Sequence, residues 1–458
     1  MNQLSEMKAN VQTDSSTKKP TDKEELGFHV GDFWPLDRIP ADMQQEAVKQ
    51  LIVNHTLIVG QSRSGKTNAA RLLIEEILRW TEARIVILDP NADFKMLKAV
   101  HPELKLKISE NEELSDKEKK EISRNAEFAS DWPQLGERIE IAAPGKEAWG
   151  IRWGNLSLEE MAAYLQLSPT TAFEEYRQLD RHLKYEKQML DRLESQTKEQ
   201  KGKGLDTRLG TIDEFKASGY FDLAVGEDVE RYRLRLERLS KKDVWWKGGE
   251  TKDLDSLFDE NYKAIVVDLS KDDEQERMIT AARALQALWG QGESGRKKLL
   301  QSSAESWRGT VVVIDEAHMF APPKLEDPQK QLLGERIQRF ADQGKKFNLY
   351  LMLITQQPGK LHPNVLAECN NRIVLRVNER RSLSALEETY GGLRGRYNGA
   401  LTFEPGEALF EGALLCDESP PPAVPRGVQF KKARTKEGGG TPDTAWAMPR
   451  TRKQKATT

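Results

Sequence analysis

The eight residues Gly60-Gln61-Ser62-Arg63-Ser64-Gly65-Lys66-Thr67 place two glycines, a lysine and a hydroxyl at the spacing G-x-x-x-x-G-K-[ST]. That spacing suits a phosphate cradle. Glycines let backbone N–H groups turn inward around phosphate oxygens, and a helix starting there adds the positive end of its dipole. Lys66 would reach the β- and γ-phosphates of ATP, and the Thr67 hydroxyl would ligate the Mg²⁺ that bridges them. A second pair of candidates closes the aliphatic run Val311-Val312-Val313-Ile314 with two carboxylates, Asp315 and Glu316. This is a Walker B pattern, in which Asp315 would hold Mg²⁺ through water while Glu316 polarises an attacking water as general base.

These groups act together only if strands and helices deliver them to one edge. Thr56-Leu57-Ile58-Val59 reads as a strand entering the loop, and Ala69, Ala70, Leu72, Leu73, Ile74, Ile77 and Leu78 recur at helical spacing beyond it. Further aliphatic runs lie at 84–90, 264–270, 349–355 and 372–377, and Gln356-Gln357-Pro358 follows the third of them. Near-continuous apolar runs are strands buried on both faces, as in a parallel sheet flanked by helices. The fold class is therefore α/β: a RecA-like P-loop core with a mostly parallel sheet, plus a long helical insertion.

The expected organisation is a disordered tail over 1–27, a first half-core over 28–100 and an insertion over 101–258. A second half-core over 259–425 and a basic disordered tail over 426–458 follow. Within the insertion, Ile139-Glu140-Ile141 reads as a possible strand and 156–167 as a helix; the charged stretch 171–240 reads as helical hairpins, either a solvated arm or a nucleic-acid or partner site. The tail, with Arg426, Lys431, Lys432, Arg434 and Lys436 among its cations, is either a solvated end or a phosphate binder.

A net charge of −3 excludes a wholly polybasic nucleic-acid binder, so any DNA contact must be local. No apolar run approaches the ~18 residues that would span a bilayer, and no signal peptide is evident. The two cysteines, Cys369 and Cys416, have neither disulfide-scaffold nor zinc spacing, and a cytoplasmic, membrane-free protein is expected. His318 lacks a second histidine at metal spacing and reads as structural.

Several segments in this order resemble the HerA branch of the HerA/FtsK superfamily: the phosphate loop entered by His55, Leu88-Asp89-Pro90-Asn91-Ala92-Asp93, Val267-Asp268-Leu269-Ser270 and Asp315-Glu316-Ala317-His318. Thr355-Gln356-Gln357-Pro358, Asn371-Arg372-Ile373 and Pro405-Gly406-Glu407-Ala408 continue the likeness. The resemblance implies a DNA-translocating, ring-forming ATPase: a homo-oligomer, hexameric by implication, on double-stranded DNA, working with a partner nuclease or other effector in DNA-end processing or antiviral defence. It also implies that Gln356 is a polar sensor of the γ-phosphate and that Arg372 reaches a neighbouring subunit's nucleotide, with Arg376 in reserve. An ATPase that moves protein, or a nucleotide-gated assembly switch, is the alternative.

Overall fold

The computed structural model describes residues 31–34, 49–105, 116–143, 149–196, 210–301, 307–323, 327–389, 394–413 and 425–438. The expected tail over 1–27 lies outside them, as do residues 439–458.

Among the described residues, ten strands form one sheet: β1 (Gly31–Trp34), β2 (Thr56–Val59), β3 (Arg84–Asp89), β4 (Ile139–Ala142), β7 (Ala264–Asp268), β8 (Thr310–Ile314), β9 (Leu349–Thr355), β10 (Asn371–Leu375), β11 (Glu407–Glu411) and β12 (Arg426–Phe430). The spatial order is β1-β12-β11-β10-β2-β9-β8-β3-β7-β4. Pairing is parallel from β10 through β4 and antiparallel from β10 through β11 and β12 to β1. Strands β2, β7, β8, β9 and β10 are buried throughout, as expected of aliphatic runs covered on both faces. One face packs Ile58, Ile87, Val313 and Ile354 against Leu72, Leu73 and Ile77 of the helix Lys66–Trp80. The other packs Val59, Leu88, Ile314 and Leu353 against the helices Glu274–Gln301 and Pro328–Gln343.

Two boundaries differ from the sequence expectation. Residues 116–142 belong to the core: β4 extends the sheet beside β7, and Phe128 and Trp132 of the helix Asp116–Gly136 pack in the same layer as Lys66–Trp80. The inserted lobe is thus built from the described residues 149–196 and 210–258, with the two short strands β5 (Trp149–Gly150) and β6 (Lys252–Asp253) paired at its root. Its helices Phe173–Gln196 and Glu227–Ser240 pack against each other, while Leu158–Tyr164 starts in a capping box between Ser157 and Glu160. His182 lies in the lobe's aromatic core, stacked on Phe215 and Tyr220 and bonded to Tyr232 and Ser218.

The expected disordered tail over 426–458 is corrected for its first part. Residues 426–430 are β12, and residues 431–438 strap across the helix Lys66–Trp80. Arg434 is buried against Glu75 and Glu76, and Lys431 pairs with Glu121 at 2.7 Å. Arg434 is thereby committed to two buried carboxylates inside the fold.

Candidate active site

β2 delivers the chain between the ends of β9 and β10. Gly60 N donates to the Thr355 carbonyl at 3.3 Å and Gln61 N to the Arg376 carbonyl at 2.9 Å, pinning both sides of the loop. Gly65, at φ 99°, makes the left-handed turn into the helix Lys66–Trp80, a conformation that strains residues bearing a Cβ. A side chain at Gly60 would collide with Ser64 Oγ and Leu375 Cβ. Ser64 Oγ and Gln61 Oε1 are buried without a hydrogen bond. Leaving such a group unpaired costs roughly 1–3 kcal/mol, and the Ser64 hydroxyl, a donor without an acceptor, fits an anion seated in the loop. Lys66 Nζ donates to the Gln61 carbonyl at 3.0 Å; burial lowers its pKa, while Glu316, Asp315 and Asp93 oppose that shift.

Carboxylates crowd the neighbouring strand ends. Asp315 is buried and accepts from Asn91 Nδ2 at 3.2 Å, and Thr67 Oγ1 donates to Asp93 Oδ2 at 3.4 Å. Burial first, then Glu316, Asp89 and Asp93, push Asp315 up to about 8; burial likewise lifts Asp89 to about 6 against the N–H groups of Phe94 and Asp93. Thr67, Asp315 and Asp93 present the hard oxygen donors that Mg²⁺ prefers, and its charge would relieve that repulsion.

Glu316 turns out of β8 at φ 47°, an unusual conformation for a side-chain-bearing residue and one found at working sites. Its Oε1 accepts from Gln356 Nε2, whereas Oε2 is buried with no hydrogen bond and lies 3.3 Å from His318 Nδ1. Gln356 Oε1 accepts from Ser62 Oγ at 2.8 Å, so one amide joins the phosphate loop to the acid. β9 makes this possible because it lies between β2 and β8.

The structure therefore gathers residues 60–67, Asp315, Glu316 and Gln356 beyond the C-terminal ends of β2, β8 and β9. It does not bring Arg372 there. Only 1% exposed, that side chain points into the interior, where its guanidinium donates to the carbonyls of Cys369, Leu386 and Leu366 at 3.0–3.3 Å. An arginine committed to three buried carbonyls cannot extend to a neighbouring subunit, which corrects the sequence expectation. Arg376 lies at the edge instead, through the Gln61 contact, and its Nε is buried without a hydrogen bond. His318, read as structural, bonds Thr355 Oγ1 at 3.2 Å and faces Glu316. Asn91 and Asp93 contact Asp315 and Thr67, which strand reading alone missed; the polar cluster directly after the β3 run was the available signal.

Residues 39–287, more than half of the chain, match the family described as Helicase HerA, central domain. The chain belongs to that HerA family. It is 27% identical over 201 residues to a DNA double-strand break repair helicase HerA of Pyrococcus furiosus, covering 38% of this chain and 34% of that one. It is 23% identical over 338 residues to a probable helicase of Methanocaldococcus jannaschii, covering 72% of this chain and 58% of that one. The chain thus spans roughly a third to three-fifths of these relatives' lengths. In fold, this HerA-family chain is similar to VirB4 of Thermoanaerobacter pseudethanolicus, at TM-score 0.54 and 15% identity over 89% of this chain and 97% of that one. It is also similar to the bacterial conjugative coupling protein TrwB, at TM-score 0.50 and 13% identity over 87% and 89%. No described helix is long and apolar enough to cross a membrane.

Proposed function

We propose that this chain hydrolyses ATP with Mg²⁺ as one subunit of a ring, and that the cycle moves the ring along double-stranded DNA. The hexamer is our reading of the ring. The observation that carries the proposal is the side chain of Gln356, bonded at one end to Ser62 of the phosphate loop and at the other to Glu316. A γ-phosphate seated by Lys66 and Ser64 would compete for the Ser62 hydroxyl, so Gln356 can report occupancy to the base. Glu316 Oε2, which has no hydrogen bond, is the oxygen available to take a proton from the attacking water. Mg²⁺, held by Thr67 and Asp315 with Asp93 beside them, would neutralise charge on the phosphates.

Arg376 replaces Arg372 as the arginine that we assign to the triphosphate, since a planar cation suits charge spread over phosphate oxygens. A nuclease or another effector would supply any cutting, in DNA-end processing or defence. The test is ATP turnover with and without duplex DNA. The proposal expects stimulation that collapses as salt rises, because each phosphate contact releases a counterion. Turnover indifferent to DNA would overturn it in favour of a switch.

A further inference from the structure

The helix Glu227–Ser240 carries Arg231, Arg235 and Arg238 at spacings of four and three residues, which place them in one row along its surface. Val229, Tyr232, Leu236 and Leu239 bury a different face. The row overhangs the C-terminal end of the helix Leu158–Tyr164, and the two enclose a crevice of about 470 Å³ that Tyr164, Gln166 and Gln275 also line. None of its lining residues is acidic.

The three guanidiniums are held differently. Arg231 is oriented by Glu175 and Asp228, with Glu227 at 4.0 Å. Arg235 donates to the carbonyls of Leu165 and Gln166, each at 3.2 Å, and has no carboxylate partner among the described residues. Arg238 is exposed, and its side chain has no ion pair or hydrogen bond among the described residues. Leu234, 51% exposed, also lines the crevice. The floor is tied to the nucleotide edge: the Tyr164 carbonyl accepts from Gln275 at 3.3 Å and from Gln329 at 3.0 Å. Gln329 opens the helix Pro328–Gln343, the first long helix after Glu316.

We propose that this crevice binds phosphodiester groups of a nucleic-acid backbone, a contact for the duplex outside the nucleotide site. The proposal rests on the reading of this chain as a duplex-DNA motor. Planar guanidiniums match phosphate oxygens in pairs; Arg231 is already paired with carboxylates, so within the row the attraction for phosphate rests on Arg235 and Arg238.

The experiment compares binding of a fluorescent duplex, without nucleotide, over a salt series for the wild type, the double variant Arg235→Gln/Arg238→Gln, the single variant Arg238→Glu and a control of equal charge loss, Arg177→Gln/Lys184→Gln. We expect the double variant to lose about one to two units of salt slope, roughly 0.9 per phosphate contact, and about tenfold in affinity. Arg238→Glu should lose DNA affinity even if the double variant folds poorly, and the control should match the wild type. Unstimulated ATP turnover should be unchanged in all variants. If the wild type binds duplex and responds to it while Arg238→Glu does so equally well, this site is wrong and the motor stands. An equal loss in the control would also overturn the site, whereas a wild type that ignores DNA would overturn the motor itself.

Discussion

The two ends of the helix Lys66–Trp80 treat buried polar atoms in opposite ways. Around its start, Ser64 Oγ, Gln61 Oε1, Glu316 Oε2 and Arg376 Nε are buried without a hydrogen bond. Farther along, Glu75 accepts from the backbone N–H groups of Arg434 and Thr435, from Arg434 Nε and from Thr435 Oγ1, at 2.7–3.2 Å. Burial is similar, but satisfaction is not. Groups that lack partners mark where a ligand completes the structure, and saturated groups mark where the chain closes on itself. Arg372 and Arg376, four residues apart, fall on opposite sides of that division.

Mutation can break the comparison, beginning with the unsatisfied end. Lys66→Ala should lower ATP turnover by at least about 10²–10³-fold, the order expected when a preorganised charge is removed, with little change in melting temperature. Glu316→Gln should retain ATP without splitting it, measured as bound nucleotide after gel filtration; turnover like the wild type would remove Glu316 as base. Next come the two arginines. Arg376→Ala should lose turnover by about 10²–10³-fold and, because Arg376 lies beside its own chain's phosphate loop, should not recover in rings mixed with Glu316→Gln subunits. Arg372→Ala should instead cost stability, seen in denaturant unfolding, because three carbonyls lose their donor. A catalytic loss at Arg372 with unchanged stability would invert the comparison.

At the saturated end, Arg434→Ala should destabilise by about 3–5 kcal/mol, since Glu75 and Glu76 would keep buried charge without their partner. The smallest effect concerns His182, which burial lowers to about 3. Its unfolded form takes a proton below about 6.5 while the folded form stays neutral, so its contribution is full above that pH and shrinks as pH falls. The unfolding free-energy difference between wild type and His182→Phe should therefore close by about 1.4 kcal/mol per pH unit between 6 and 4. A constant difference would mean that the lobe's core admits the charge.

The phosphate loop and the Walker B carboxylates were legible because each sits where an aliphatic run ends, and a strand buried on both faces has few alternatives, whereas Gln356 was reached only through the resemblance to the HerA family. Arg372 defeated the same reasoning. A strand-opening arginine looks alike whether it faces solvent, a neighbour or the interior, and only the register of β10 with β2 and β11 decides. The strap was hidden for a related reason: lysines and arginines near a chain end look solvated until the Glu75–Glu76 pair that receives them is located in space. The lobe's arginine row was visible as composition, but its crevice depends on where the helix Leu158–Tyr164 ends.

The strap has a consequence for biosynthesis. Arg434 and Glu75 lie 359 residues apart in the chain, so the phosphate-loop helix leaves the ribosome long before its brace exists. Contacts of such separation form late, and the brace can close only after residue 434 has emerged. A nascent chain would expose the flank that carries Glu75 and Glu76 until then, so truncated products should be poor at holding nucleotide and ready substrates for proteolysis.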